Sequence, residues 1–136
     1  MEFRKNMETT LAGLTSLLGV NAVIISDMEG NKAYSWYRTD LDKRDIRTSG
    51  EELVSMLKFS QALGVNSNIG GLTNVIVRGS RGVAILAPLR DSFILFVSAD
   101  QRANLALLLV RIRRAAERLM GILGGERLGG EAYLSP

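Results

Sequence analysis

Phe3, Met7, Leu11, Leu14 and Leu18 recur at steps of three and four residues, which predicts an amphipathic helix over Glu2–Leu18. Gly19 follows and suits the position just past a helix end, since it takes positive φ without a Cβ clash. Ala22-Val23-Ile24-Ile25 is short, continuous and β-branched, the pattern of a strand covered on both faces. Asp27–Asn31 supplies a turn. Lys32–Tyr37 then alternates imperfectly, with Tyr34 and Trp36 on one face, as an outer strand does. After a charged loop over Arg38–Arg47, Ser49 and Glu52 form a capping box, each side chain meeting an orphan backbone N–H of the other residue. The middle helix is predicted to run from there to Leu63 and to stop at Gly64. Three β segments follow, Leu72–Arg78, Gly82–Leu89 and Ser92–Ala99, joined by tight turns into an antiparallel meander. Pro88, lacking an N–H, belongs near the end of its strand.

The last helix is predicted over Arg102–Leu123, with a core stripe of Leu105, Leu108, Leu109, Ile112, Ala116, Leu119 and Leu123. Ala106, Leu107 and Val110 make its first half apolar nearly all round, which predicts deeper burial at that end. Gly124–Gly130 reads as a flexible tail, with Ala132, Tyr133 and Leu134 its only apolar cluster. The order is helix, two strands, helix, three strands, helix. It predicts one α+β domain over residues 1–123, built on a single five-stranded antiparallel sheet, followed by a tail over 124–136.

Composition narrows the chemistry. The chain has 136 residues, 46% hydrophobic and 23% charged, a mix that suits one ordinary globular core. It has no cysteine and no histidine, which excludes disulfides, thiolate nucleophiles, Cys/His zinc sites and the commonest general base. The 17 Lys and Arg against 14 Asp and Glu leave a net charge of only +3, spread along the sequence except for Arg111, Arg113, Arg114 and Arg118. No aromatic run accompanies these arginines, so a solvated helix face is favoured over nucleic-acid or anionic-lipid binding. The start of the chain carries no apolar signal segment, and the longest apolar run, Leu105–Val110, is far short of a membrane span. A soluble cytoplasmic protein is the expectation, with no metal, no cofactor, no nucleic acid and no insertion into a membrane.

Two motifs with chemical overtones reduce to local structure. The segment Gly64–Gly71 lacks the Lys-Ser/Thr ending of a phosphate loop and leads into a strand. Asp27, Glu29, Asp40, Asp42, Asp45, Asp91 and Asp100 have no spacing that pairs them in a pocket, and Asp at turns favours local backbone hydrogen bonds. The chain is therefore not expected to be an enzyme in its own right.

The more informative features are apolar. Leu53 and Leu57 share one face of the middle helix, and Met56, Phe59 and Leu63 share a neighbouring face, so the arc is wider than one core contact needs. Leu72-Thr73-Asn74-Val75-Ile76-Val77-Arg78 has one charge and no proline to blunt it as a sheet edge. Either both elements are buried within the monomer, or the strand pairs with its own copy and Met56, Phe59 and Leu63 meet across the same twofold axis.

The residues also carry a resemblance. Gly19-Val20 leads into Ala22-Val23-Ile24-Ile25-Ser26-Asp27 with Glu29-Gly30. Further on come Gly82–Leu89, Phe93-Ile94-Leu95-Phe96-Val97 and Ala103-Asn104-Leu105-Ala106, all in the order found in roadblock-type domains, a family named after a dynein light chain. The chain resembles that family, and its mutual-gliding-B branch in particular, from about Glu2 to Leu123. The resemblance implies dimers with the third strand and middle helix at the interface, which maps to Met56, Phe59, Leu63, Leu72, Thr73, Asn74, Val75, Ile76 and Val77. It implies a small Ras-like GTPase as partner, bound on outward positions of the middle helix such as Glu51, Glu52, Ser55, Lys58 and Gln61. The GTPase would carry out hydrolysis itself, with this chain stabilising its switch conformation. An arginine finger from the exposed turns at Arg81 or Arg90 is not singled out by any motif. An assembly scaffold without effect on a GTPase, and a small-molecule sensor, are the alternatives.

Overall fold

A computed structural model describes residues 2–39 and 46–130, with side chains through residue 123. The elements are α1 (Glu2–Thr15), β1 (Val20–Asp27), β2 (Lys32–Tyr37), α2 (Gly50–Asn66), β3 (Val75–Gly79), β4 (Gly82–Leu89), β5 (Phe93–Asp100) and α3 (Leu105–Gly130). The strands form one antiparallel sheet in the order β2-β1-β5-β4-β3. The expected α+β class and five-stranded antiparallel sheet are what the chain adopts.

Alternation along each strand sends side chains to two separate cores. Val23 and Ile25 of β1, Ile85, Ala87 and Leu89 of β4, and Leu95, Val97 and Ala99 of β5 face α1 and α3, where Met7, Leu11, Leu14, Leu108, Ile112 and Leu119 close over them. Ile24, Leu86, Ile94 and Phe96 face the other way and are covered by Leu53 and Leu57 of α2. The sheet is thus the middle layer of three. Its two central strands, β1 and β5, are buried on both faces, which explains their continuous apolar runs. The strands at the two ends, β2 and β3, each have one unpaired side.

Several boundaries differ from the sequence expectation, each for a local reason. Helix α1 ends at Thr15, and Leu18, assigned to its stripe, is 66% exposed. Gly19 does take positive φ, +90°, but as the entry to β1. A Cβ there would lie 2.6 Å from the backbone nitrogen of Ala103. Gly64 does not stop α2; it lies inside the helix, buried, where an added Cβ would sit 3.2 Å from the Gly70 carbonyl oxygen and 3.5 Å from Leu72. The stop is at Ser67. Asn68 takes φ +60° and donates its N–H to Val65 O, while Ile69 donates to Gly64 O, which together complete a Schellman motif with Asn in the left-handed position. The segment Leu72–Asn74, read as strand, precedes β3, and Leu72 packs instead against the core under α2.

Helix α3 begins at Leu105 and not at Arg102, because Asn104 is its cap: the Asn104 side-chain oxygen accepts from Leu107 N–H at 3.0 Å. It continues past Leu123 to Gly130, since extending a helix already formed needs no new nucleation. The tail expected over 124–136 is helix as far as Gly130, and its Ala132-Tyr133-Leu134 cluster lies outside the described residues. The first half of α3 is not more deeply buried. Ala106 is exposed, Leu107 is 41% exposed and Val110 is 46% exposed, because only one face of the helix meets the sheet and these three residues point away from it.

One ion-pair cluster joins the end of β5 to β1 and to the residue that follows β2. Asp100 accepts from Arg102 Nε at 3.1 Å, Arg102 Nη2 at 2.9 Å and Arg102 N at 3.0 Å, and lies 3.4 Å from Arg38 Nη1. Arg38 also donates to the Asn21 side chain. The bond from Arg102, against the cost of partial burial, holds the Asp100 carboxyl well below the usual carboxylate range. A group with a depressed folded pKa stabilises the fold above its unfolded value and loses that contribution as pH falls. Asp100→Asn is expected to cost about 1–2 kcal/mol in urea unfolding at pH 7. The gap should persist down to about pH 5 and narrow below the ordinary value of 3.8. A gap that widened in acid would contradict the assignment.

Candidate functional site

Helix α2 carries an apolar excess on an exposed flank, near the β3 edge of the sheet. Helix α2 starts where the box predicts: Ser49 Oγ accepts from Glu52 N–H at 3.1 Å and Glu52 accepts from Ser49 N–H at 3.0 Å. Its first turn is pressed onto the β1–β2 hairpin at Gly30, through Gly50. That hairpin turn is itself held by Asp27, whose Oδ1 accepts from the N–H groups of Glu29 and Asn31, both at 2.9 Å. This fixes how α2 lies on the sheet. Leu53 and Leu57 point inward, and Met56, Phe59 and Leu63 are left 43%, 77% and 66% exposed. Val65 and Ile69 add exposures of 73% and 70% at the helix end. Single exposed apolar residues are ordinary, but a helix flank carrying several of them marks an interaction surface.

The chain between α2 and β3 keeps the two elements together. Leu72 and Val75 pack into the same core as Leu53 and Leu57. Strand β3 pairs with β4 on one side only, with Ile76 opposite Ile85 and Val77 opposite Ala84. The register puts Ile76 on the α1/α3 side of the sheet and Val77 on the α2 side, 39% and 45% exposed. Of the nine residues assigned to pairing, only Val75, Ile76 and Val77 lie in β3 itself. Thr73 is exposed, while Leu72 and Asn74 are half-buried in the lead-in.

Glu51, Glu52, Ser55, Lys58 and Gln61 are all exposed on α2. They do not form one patch of equal freedom. The carboxylate of Glu52 is engaged at the helix cap, and the side chain of Glu51 lies over Gly30. Ser55, Lys58 and Gln61 remain on the outer side. Arg81 and Arg90, at exposed turns, sit at opposite ends of β4 and cannot serve one site together. Among the described residues no three acidic side chains converge as a metal site would require. None of the described helices is long and apolar enough to cross a membrane.

Two clefts lie on the other side of the sheet. A groove of about 550 Å3 runs between α3 and the β3 lead-in, lined by Leu72, Asn74, Pro88, Val110, Arg113 and Met120 among others. A smaller cleft between α1 and α3 is lined by Thr10, Gly13, Arg111, Arg114 and Arg118. Neither was legible in the sequence, because both depend on how distant elements pack.

No protein-family profile and no characterised protein matches the sequence. Solved structures do match the fold, across more than four fifths of both chains. MglB of Myxococcus xanthus superposes with a TM-score of 0.73 at 18% identity, covering 92% of this chain and 99% of that one. The fold is that of a roadblock-type domain. A Roadblock/LC7 domain from Streptomyces avermitilis superposes with a TM-score of 0.68 at 12% identity, covering 82% of this chain and 92% of that one. An MglB in a tetrameric arrangement gives 0.70 at 20% identity, covering 88% and 85%. The likeness to MglB expected from the sequence thus extends to the three-dimensional structure.

Proposed function

We propose that this roadblock-type domain is a self-associating regulator of a small Ras-like GTPase. The observation that carries the reading is the exposed flank of α2, Met56, Phe59 and Leu63, on a domain whose β3 edge is unpaired. Pairing of β3 with its own copy continues the sheet, satisfies the free N–H and C=O groups, and brings two α2 flanks together about one twofold axis. The tetrameric arrangement of one MglB supports self-association as a property of this fold.

In the assembly, Ser55, Lys58 and Gln61 from two copies form a shared outer platform, with Glu51 and Glu52 at its rim. A platform that binds only the GTP-bound switch conformation shifts the GTPase towards that state by the difference in affinity between its two states. The chemistry stays with the GTPase, whose own groups position water and neutralise developing charge. A scaffold role uses the same surface without the nucleotide preference.

The test is binding of a Ras-like GTPase encoded near this chain, loaded in turn with GDP and with a non-hydrolysable GTP analogue. The regulator reading expects at least about tenfold tighter binding in the GTP-like state, a coupling of about 1.4 kcal/mol. Equal affinity in both states favours the scaffold. No binding in either removes the GTPase from the account.

A further inference from the structure

We propose that the cleft between α1 and α3 is an oxyanion site for a phosphate-bearing ligand, on the face of the sheet opposite α2. The cleft measures about 200 Å3, and Arg111, Arg114 and Arg118 line it from α3 while Thr10 and Gly13 line it from α1. The three arginines follow an i, i+3, i+7 spacing, which puts them on one stripe of the helix. Along the axis they span about 10 Å at 1.5 Å per residue, within reach of one another's flexible guanidinium groups.

Arg111 is fixed in place. It is half-buried, and its Nη1 donates to Gly13 O at 2.9 Å, satisfying one of the carbonyls that the end of α1 leaves free. Capping accounts for one N–H of one arginine. It does not account for Arg114 and Arg118, which add like charge at i, i+3 and i, i+4 and raise the energy of the helix. On the neighbouring stripe Arg113 pairs with Glu117 at 3.8 Å, yet among the described residues no carboxylate lines the cleft itself. Three arginines lining one hollow, with a threonine among the lining residues, have their mutual repulsion relieved by an anion.

The chemistry favours phosphate over carboxylate. A phosphate monoester presents three oxygens in a tetrahedral array to three guanidinium forks, and charge-assisted bonds of this kind are the strong ones. A cleft of about 200 Å3 has room for one such group. Because α2 lies across the sheet, the site and the proposed GTPase platform can be occupied together. The phosphate can be that of a lipid headgroup or of a soluble molecule.

The experiment uses the full chain and titrates inorganic phosphate at constant ionic strength, followed by 31P line broadening and by calorimetry. Saturable binding is expected, weakened about tenfold or more in the double variant Arg114→Gln, Arg118→Gln, whose substituted side chains are exposed and leave the fold intact. Arg114→Lys with Arg118→Lys keeps the charge and loses the forks, so an intermediate affinity is expected. No saturation, or equal affinity in wild type and the Gln variant, overturns the proposal. Vesicles then separate the sources. Retention on phosphatidic acid but not on phosphatidylserine at matched surface charge, lost in the Gln variant, assigns a lipid headgroup. Phosphate binding without vesicle retention assigns a soluble ligand. Equal retention on both lipids, unchanged in the Gln variant, marks diffuse charge and overturns the site.

Discussion

Phe59→Glu is expected to abolish self-association while leaving the folded chain intact. Phe59 is 77% exposed in the middle of an ordered helix, so its removal costs the monomer core almost nothing. Glu is also a good helix former at such a position. At a twofold interface the effect is felt differently. Every residue of an isologous surface enters twice, so one substitution removes two aromatic anchors and places two carboxylates near the axis. A buried aromatic anchor is commonly worth about 2 kcal/mol or more, and two of them correspond to about a thousandfold weaker association. Sedimentation across a concentration series measures this directly, with far-UV circular dichroism as the control for folding. An unchanged association constant would remove α2 from the interface and leave only the β3 edge to mediate it.

Gly50→Ala is the second large effect, and it acts on the fold that positions the same helix. A Cβ at Gly50 would lie 2.1 Å from the carbonyl oxygen of Gly30 and 2.6 Å from its carbonyl carbon. Both contacts are backbone, so no side-chain rotation can relieve them. Either the first turn of α2 or the β1–β2 hairpin must move. Elsewhere in a helix, Gly to Ala stabilises by about 0.5–1 kcal/mol through backbone entropy; here that gain is reversed. A net loss of about 2–3 kcal/mol is expected from urea unfolding, in line with overpacking at a rigid contact. Glu51→Ala, one residue on, keeps the backbone contact and is expected to stay within about 0.5 kcal/mol of wild type. A neutral Gly50→Ala would mean that α2 does not rest on the hairpin.

How much of this was legible in the sequence depended on whether a signal was local. The Ser49–Glu52 box lies within one turn, and both of its bonds form as written. Lys32–Tyr37 and Gly82–Leu89 are bounded by their own turn residues and fall on the observed strands. Glycine misled in two ways. Gly64 looked like a helix stop, but its lack of a side chain serves a close approach by Leu72 and Gly70, a contact set by the loop that follows. The left-handed stop was given to Asn68, which carries the same conformation less visibly.

Part of the candidate site has a trace in the sequence. Excess apolar width on the middle helix was visible in Met56, Phe59 and Leu63, and the same three residues are exposed in the fold. Helical periodicity alone could not separate these from Ala106, Leu107 and Val110, which looked buried and are not, because it does not reveal how much of a helix the sheet will cover. The arginine cleft needed the packing of α1 on α3, far apart in sequence, and Arg111 capping Gly13 has no local trace.

The most direct test of the central claim, that α2 and β3 form a self-association surface, is the light-scattering mass of the purified chain at micromolar concentration. The chain mass is 14.8 kDa, and the account predicts about twice that value or a higher even multiple, falling to the chain mass in Phe59→Glu. A wild-type mass equal to that of one chain, independent of concentration, would contradict it.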